Sequence, residues 1–165
     1  MVYVFAGPAG SQRYLGTATT DAAGRYRYVV RAVSNSALRL VYLGAPAIRP
    51  VTKEVELEVP GQTSFKASRR RLVNGQRVVF GGRLAVAPTG LATGKLVELQ
   101  TRLSGRWQTF RTVRTDSSGR WRSAYKFRRT RGLVRYRFRA RLPREAAYPF
   151  ATGRTGSIGV TVRGR

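Results

Sequence analysis

Apolar and polar residues alternate with a period of two along most of this chain. The clearest examples are Val97/Leu99, Val134/Tyr136/Phe138/Ala140 and Val55/Leu57/Val59. Alternation of this kind places the apolar side chains on one face of a β-strand. No eleven-residue stretch has the sustained spacing of three and four residues that an amphipathic helix needs. The pattern predicts an all-β protein.

Turn residues divide the second half of the chain into short strands. The turn signals include Asn74-Gly75, Pro88-Thr89-Gly90, Ser104-Gly105 and Arg131-Gly132. We predict seven strands between them, at residues 64–72, 76–87, 95–103, 106–114, 120–128, 133–141 and 157–163. Seven short strands in about 100 residues are typical of an immunoglobulin-like sandwich.

One turn-and-strand signature appears twice. Thr20-Asp21-Ala22-Ala23-Gly24-Arg25-Tyr26-Arg27 recurs as Thr115-Asp116-Ser117-Ser118-Gly119-Arg120-Trp121-Arg122. The flanking apolar residues extend the match: Val2 and Val4 with Val97 and Leu99; Leu38, Leu40 and Tyr42 with Val134, Tyr136 and Phe138; and Val55, Leu57 and Val59 with Ile158, Val160 and Val162. A repeat at this spacing indicates one structural unit used twice.

The first copy of the repeat is shorter than the second. Its predicted strands are residues 2–6, 13–20, 25–32, 37–43 and 53–59, so it begins where the third strand of the second copy begins. We therefore predict two tandem immunoglobulin-like antiparallel β-sandwiches, residues 1–60 and 61–165, with a short linker at residues 60–63. The first sandwich lacks its first two strands, and a preceding part of the parent protein or another chain supplies them. Its exposed edge favours a homo-oligomer.

The repeated signature is a turn in which the first residue, Asp, and the last residue, Gly, each have a distinct structural role. Asp21 and Asp116 are expected to accept the backbone N–H two residues on. Gly24 and Gly119 are expected to adopt a left-handed conformation and lead into the next strand. Calcium binding is the functional alternative, but a lone aspartate is a poor start for an ion that needs six to eight oxygen ligands.

This turn resembles the bacterial immunoglobulin-like repeats and the related carboxypeptidase regulatory-like sandwich domains of secreted and surface proteins. In the second unit the resemblance covers Gly94–Gln100, Trp107–Phe110, Thr115–Trp121, Val134–Arg139 and Tyr148–Phe150. It implies a non-enzymatic spacer or adhesion module outside the cell, as part of a longer exported protein.

The charge is large and uneven. Basic residues number 32 and acidic residues 7, for a net charge of +25. Residues 1–61 carry seven basic and four acidic side chains, whereas residues 62–165 carry 25 and three. Arginine accounts for 28 of the basic residues, and its planar fork suits phosphate, sulfate and carboxylate. A GC-rich genome also enriches arginine, but it does not account for the scarcity of acids.

The segment Val134–Arg141 is the sharpest site candidate. Alternation sends four arginines to the face opposite Val134, Tyr136, Phe138 and Ala140, about 6.7 Å apart. This spacing suits an extended polyanion. We expect a polyanion-binding face of Arg135, Arg137, Arg139 and Arg141, widened by Arg128, Arg129 and Arg131. The alternative is a solvated outer face whose charges prevent aggregation.

Two further groups of residues carry alternatives. Glu54, Glu56 and Glu58 form an acidic row that pairs locally with Arg39 and Arg49, or contacts the basic face of the next molecule. Trp107, Trp121, Tyr125 and Tyr148 are candidates for a platform on which sugars stack. Trp121 and Tyr125 are expected in the core, and Trp107 is the better candidate for an exposed ring.

The sequence contains few residues that are suited to catalysis. There is no histidine and no cysteine, so the usual proton-transfer group, thiolate catalysis and disulfides are excluded. We predict no enzyme activity, no cofactor and no metal. The function predicted is a non-catalytic spacer or adhesion module at the cell surface that holds an anionic envelope polymer. An intracellular nucleic-acid-binding protein is the alternative, on charge alone.

Overall fold

A computed structural model describes residues 1–7, 11–85 and 92–164. All regular elements within these ranges are β-strands, which confirms the predicted fold class. The residues group by contact into two compact units, Met1–Val59 and Pro60–Arg165. Independent folding of 1–60 and 61–165 as tandem domains stays a prediction. The predicted turn at Pro88-Thr89-Gly90 and the end of the predicted strand 76–87 lie outside the described residues.

Unit 1 contains one four-stranded antiparallel sheet. Its strands are β1 (Val2–Gly7), β2 (Arg13–Ala18), β3 (Ser36–Tyr42) and β4 (Val51–Leu57), in the order β2-β1-β3-β4. Val2, Val4 and Ala18 are its buried apolar residues in the described ranges. Such a small core is consistent with a sheet that has one face only partly covered.

Unit 2 is a two-sheet sandwich. One sheet has the order β10-β7-β5, and the other has β6-β13-β11-β8-β9 with β12 beside β11. Phe80 of the first sheet and Phe138 of the second are in ring contact at 4.7 Å and form the centre of the core. The strands are β5 (Lys66–Ala67), β6 (Arg71–Val73), β7 (Arg77–Arg83), β8 (Leu96–Leu103), β9 (Arg106–Arg114), β10 (Arg120–Lys126), β11 (Leu133–Leu142), β12 (Gly153–Arg154) and β13 (Ile158–Arg163).

The predicted strand at residues 25–32 is wrong: this segment belongs to no ladder. The corresponding strand in unit 2, β10, pairs along its whole length with β7. Unit 1 has no described counterpart of β7. The alternation at Tyr26, Tyr28 and Val30 is suitable for a strand, but a strand forms only when a neighbour takes up its backbone hydrogen bonds.

The predicted strand at residues 64–72 is wrong as a single element. β5 pairs antiparallel with β7 in one sheet, whereas β6 pairs parallel with β13 in the other. The chain therefore crosses between the two sheets near Ser68–Arg70. Apolar periodicity does not register such a crossing, because both short strands keep their apolar side chains toward the same core.

Residues 60–63 are not a free linker. The Gly61 N–H donates to the Ala151 carbonyl at 2.9 Å, and the Trp121 indole N–H donates to Thr63 Oγ1 at 2.9 Å. Gly61 is buried, with Leu142 and Tyr148 close to where a Cβ would lie. These residues are therefore bonded into unit 2.

One of the predicted repeat equivalences is out of register. Val4 lies opposite Leu40 in unit 1, and Leu99 lies opposite Ala140 in unit 2. Leu38, Leu40 and Tyr42 therefore correspond to Phe138, Ala140 and Leu142, not to Val134, Tyr136 and Phe138. Val55 and Ile158 do correspond, since each lies opposite the matched residue of the preceding strand.

Candidate polyanion-binding face

The outward face of the larger sheet in unit 2 is rich in arginine. On β11, Phe138 and Ala140 are buried, while Arg135 and Arg137 are exposed and Arg139 and Arg141 are half-buried. Cross-strand register adds residues that the sequence reasoning did not place here. The arginine face, as we call it, consists of Arg71, Arg135, Arg137, Arg139, Arg141, Arg154 and Arg163.

Arg154 and Arg163 join this face through strand pairing. Arg154 lies directly opposite Arg141, and Arg163 lies opposite Leu133. Arg71 reaches it through Thr161, which lies between Arg71 and Arg135. Residues directly opposite each other in a ladder point to the same side of the sheet. Only the register brings these three arginines to β11, and the apolar pattern of the sequence does not fix that register.

Arg141 is compensated by a carboxylate. Its guanidinium forms an ion pair with Glu98 Oε2 at 2.8 Å, and the Thr109 hydroxyl donates to the same oxygen at 3.3 Å. Of the three acidic residues in unit 2, Glu98 is the one on this face. Asp116 lies in the turn before β10, and Glu145 is bound to Lys95.

Arg139 is held by a neutral partner and an aromatic ring. Its Nε–H donates to Gln100 Oε1 at 2.8 Å, and its guanidinium lies 4.2 Å from the centroid of the half-buried Trp107 ring. Burial first, and then repulsion from Arg154 and Arg141, lower the pKa of Arg139. The group stays cationic, but a nearby anion would relieve that repulsion.

Arg135 and Arg137 carry the uncompensated charge of β11. Neither forms an ion pair with a carboxylate in the described part of the chain. The Arg135 side chain lies over Gly159, where an added Cβ would come within 2.8 Å of its Nε. Two exposed cations about 6.7 Å apart on one strand, with Arg154 toward the far end of β11, can hold successive charges of an extended anion.

Arg128, Arg129 and Arg131 lie elsewhere in unit 2. All three are exposed in the connection that carries the chain from β10 in the smaller sheet to β11 in the larger one. Thr130, in the same connection, is buried, and its backbone bonds to the Asn74 amide hold it in place. The connection precedes β11, on the side of Arg135. The widening of the face by these residues stays a prediction.

The aromatic candidates do not form one platform. Trp121 is buried and stacks on Phe65 at 5.9 Å, which confirms its predicted core position. Tyr148 is also buried, and Tyr125 is half-buried against Phe110. Trp107 is half-buried on the arginine face, where Arg139 covers its ring.

The acidic row lies in unit 1. Glu54 and Glu56 are exposed on β4, and Glu54 lies directly across from Arg39 on β3. Glu58 follows the end of the strand. The register allows the local pairing expected for Glu54, whereas Glu56 lies across from Ala37.

The two repeated turns have the predicted geometry. Asp21 Oδ1 accepts the N–H groups of Ala23 and Arg25 at 2.9 and 2.8 Å. Asp116 Oδ1 likewise accepts the N–H groups of Ser118 and Arg120, each at 2.9 Å. Gly24 and Gly119 have φ of 76° and 72°. Hydrogen bonds from the Ser118 side chain and the Arg120 backbone lower the pKa of Asp116, so the turn explains this aspartate without a metal.

The described residues contain neither a metal-binding cluster nor a helix that could span a membrane. Within residues 1–7, 11–85 and 92–164, no group of three or more acidic side chains is arranged to hold a metal ion. Over the same ranges, no helix is long and apolar enough to cross a membrane.

Comparison with known proteins finds similarity among solved structures only. No protein family model and no curated protein sequence matches the chain. Among solved structures, the chain is similar to that of the Yersinia pseudotuberculosis adhesin InvE, with 14% sequence identity and a TM-score of 0.44. The match covers 98% of this chain and 48% of the adhesin, so the chain spans about half of that protein.

Proposed function

We propose that this chain is a non-catalytic spacer or adhesion module of a bacterial extracellular or cell-envelope protein, and that unit 2 holds an anionic polymer on its arginine face. The observation that carries the proposal is the unequal compensation of that face. Glu98 neutralises Arg141, whereas Arg135 and Arg137 are exposed with no ion-pair partner in the described residues.

The energetic argument concerns like charges on one sheet. Aligned cations repel one another, and the repulsion lowers stability unless an anion compensates it. Glu98 is the single acid on a face with seven arginines. A polymer that lays negative groups along β11 would remove this repulsion, so part of the binding free energy comes from relief of strain already present in the free protein.

The repeated unit and the sequence resemblance support the structural part of the proposal. Two all-β units joined in tandem, without histidine or cysteine, suit a module that spaces or presents a binding surface. An extracellular location is part of the same proposal.

The test is binding of the intact chain to long-chain polyphosphate at fixed low salt. The Arg135→Ser/Arg137→Ser variant should bind about tenfold more weakly or worse, because each lost charge pair contributes up to about 1 kcal/mol. The matched control is Arg13→Ser/Arg49→Ser, which removes the same charge from exposed positions of unit 1 and should change the affinity less than threefold.

A further variant and a second ligand test the extent of the site and the nucleic-acid alternative. An Arg128→Ser/Arg129→Ser variant measures whether the β10–β11 connection widens the site. Single-stranded DNA in place of polyphosphate tests the nucleic-acid alternative, which predicts tighter binding to DNA through base stacking. Equal losses in the unit 1 control and the β11 variant would reduce the interaction to net charge and contradict the proposal.

A further inference from the structure

Unit 1 has two strand edges that correspond to covered edges in unit 2. In unit 2, β7 pairs along β10, and β6 pairs along the outer edge of β13. The corresponding parts of unit 1 are the segment 25–32 and β4. In the described residues no strand pairs with this segment, and β4 pairs only with β3.

Apolar side chains are exposed beside both edges. Tyr26 is 42% exposed in the segment 25–32, and Val51 and Val55 are 59% and 36% exposed on β4. A hollow of about 320 Å³ lies between them, lined by Val2, Leu40, Tyr42, Ile48 and Val51 among others. Unit 2 shows what such a face receives, since β7 brings Val78 and Phe80 into its core with no measurable exposure.

The two free edges of unit 1 carry opposite charges at the same spacing. In the segment 25–32, Arg25, Arg27 and Arg31 are exposed and alternate with apolar residues, of which Tyr28 and Val30 are half-buried. On β4, exposed Glu54 and Glu56 alternate with Val55 and Leu57. Opposite charges directly across a strand pair stabilise it, and like charges destabilise it.

We propose that β4 of one copy of this chain pairs antiparallel with the segment 25–32 of a second copy. A register that sets Glu56 across from Arg27 also sets Val55 across from Tyr28 and Leu57 across from Tyr26. Two pairs of apolar residues then face each other and Glu56 faces Arg27, while Glu54 lies across from Val29 and diagonal to Arg27 and Arg31. Backbone groups of both edges gain hydrogen bonds, as in other cases of strand addition to an exposed edge.

Symmetric pairing of either edge is disfavoured by its charges. Two antiparallel copies of the segment 25–32 centred on Tyr28 would place Arg25 across from Arg31, and two copies of β4 centred on Val55 would place Glu54 across from Glu56. The pairing is therefore head-to-tail. Each copy keeps one free edge of each kind, so the contact adds copies in a chain and does not stop at a dimer.

This inference is independent of the proposed polyanion binding, because it uses no residue of the arginine face. The experiment measures the weight-average mass of the intact chain by sedimentation between about 1 and 200 µM, at low and high salt. Mass should rise with concentration, and salt should weaken the association, since the charge pairs lie in solvent. Circular dichroism checks that each variant keeps the strand content of the parent.

Charge exchange gives the decisive comparison. The Glu54→Lys/Glu56→Lys variant and the Arg27→Glu/Arg31→Glu variant should each associate at least tenfold more weakly than the parent. An equimolar mixture of the two should recover association, because each variant then offers an edge of opposite charge to the other. The control Arg13→Glu/Arg49→Glu should associate as the parent does.

Three results would overturn the inference. One is a parent that stays monomeric at 200 µM and low salt, and another is a mixture that fails to recover association. The third is loss of association in Arg135→Ser/Arg137→Ser, which would assign the acidic row to the arginine face of the next molecule.

Discussion

A buried ion pair at the end of the unit 2 sandwich leads to the most detailed stability prediction. The Lys95 side chain is 2% exposed, and its ammonium forms an ion pair with Glu145 Oε2. The same ammonium donates to the Pro143 carbonyl and lies 4.5 Å from the centroid of the Tyr148 ring. Glu145 also accepts the Leu96 N–H at 3.0 Å. The carboxylate therefore neutralises a buried cation and bonds the start of β8.

Replacing this carboxylate by an amide, Glu145→Gln, leaves the Lys95 charge buried without its counter-ion. Breaking a fully buried pair costs about 3–5 kcal/mol. The Glu145 side chain is 29% exposed, and Lys95 keeps its carbonyl and ring partners, so we expect a smaller loss, about 2 kcal/mol. For a unit of this size that lowers Tm by about 10 °C.

The pH dependence of this loss separates a charge effect from a packing effect. Burial raises the pKa of Glu145, but hydrogen bonds from Lys95 and Leu96 and the charges of Lys95 and Arg114 outweigh it, so the net pKa is lowered. A carboxylate with a lowered pKa stabilises the fold above its unfolded pKa, and this stabilisation is lost as pH falls through the folded pKa. The difference in unfolding free energy between the parent and Glu145→Gln should therefore be full at pH 7 and shrink as pH falls below the unfolded glutamate pKa and through the lower folded pKa of Glu145.

Urea unfolding followed by tryptophan fluorescence is the assay, since both tryptophans, Trp107 and Trp121, lie in unit 2. Glu54→Gln, an exposed change in unit 1, is the matched control and should leave the transition unchanged. A loss under about 0.5 kcal/mol at pH 7, or a loss that does not shrink as the pH is lowered into the acidic range, would refute the reasoning.

Three other substitutions in unit 2 should change its stability. Asp116→Ala should lower the urea midpoint at pH 7 because two backbone N–H groups lose their acceptor. Asp116→Asn keeps an oxygen there and should lower the midpoint less. Because the pKa of Asp116 is lowered in the folded protein, the difference in midpoint between the parent and Asp116→Ala should narrow as pH falls. Gly82→Ala would place a Cβ 1.9 Å from the Ser64 carbonyl oxygen and should destabilise by about 1–3 kcal/mol, while Gly156→Ala, with open space around it, should be neutral in the same titration. Ser123 has a buried hydroxyl without a partner in the described structure, so Ser123→Ala should raise the free energy of unfolding by about 1 kcal/mol.

Local chemistry was predictable from the sequence where it depends on neighbouring residues alone. The Asp116–Gly119 turn is such a case, because its hydrogen bonds span at most four residues and its glycine conformation is set by sterics. The core position of Trp121 follows from alternation in the same way. The turn appears in both units despite different tertiary surroundings, whereas Tyr26, the counterpart of Trp121 in unit 1, is 42% exposed.

Features that depend on pairing were not predictable. The segment 25–32 has the alternation of a strand, but a strand also needs a neighbour, which unit 1 lacks in the described residues. Arg154 and Glu98 reach β11 only through the register of the sheet. The Lys95–Glu145 ion pair joins residues 50 positions apart, so no local pattern in the sequence indicates it.

The register also changes the interpretation of the arginine row. The sequence presents Arg135, Arg137, Arg139 and Arg141 as four equal cations. The sheet pairs Arg141 with Glu98 and stacks Arg139 on Trp107, which leaves Arg135 and Arg137 uncompensated. The candidate contacts therefore shift toward the start of β11 and gain Arg154 from a strand outside the predicted set.

The salt dependence of polyphosphate affinity tests the central claim most directly. Binding of the intact chain and of Arg135→Ser/Arg137→Ser is measured across a sodium chloride series, and the slope of log affinity against log salt counts the ions released. If both arginines contact the polymer, the variant should bind more weakly and its slope should be shallower by about 1.4, or about 0.7 for each lost contact. An unchanged slope, or no binding by the parent at low salt, would contradict the account and leave the arginine face as a solvated surface.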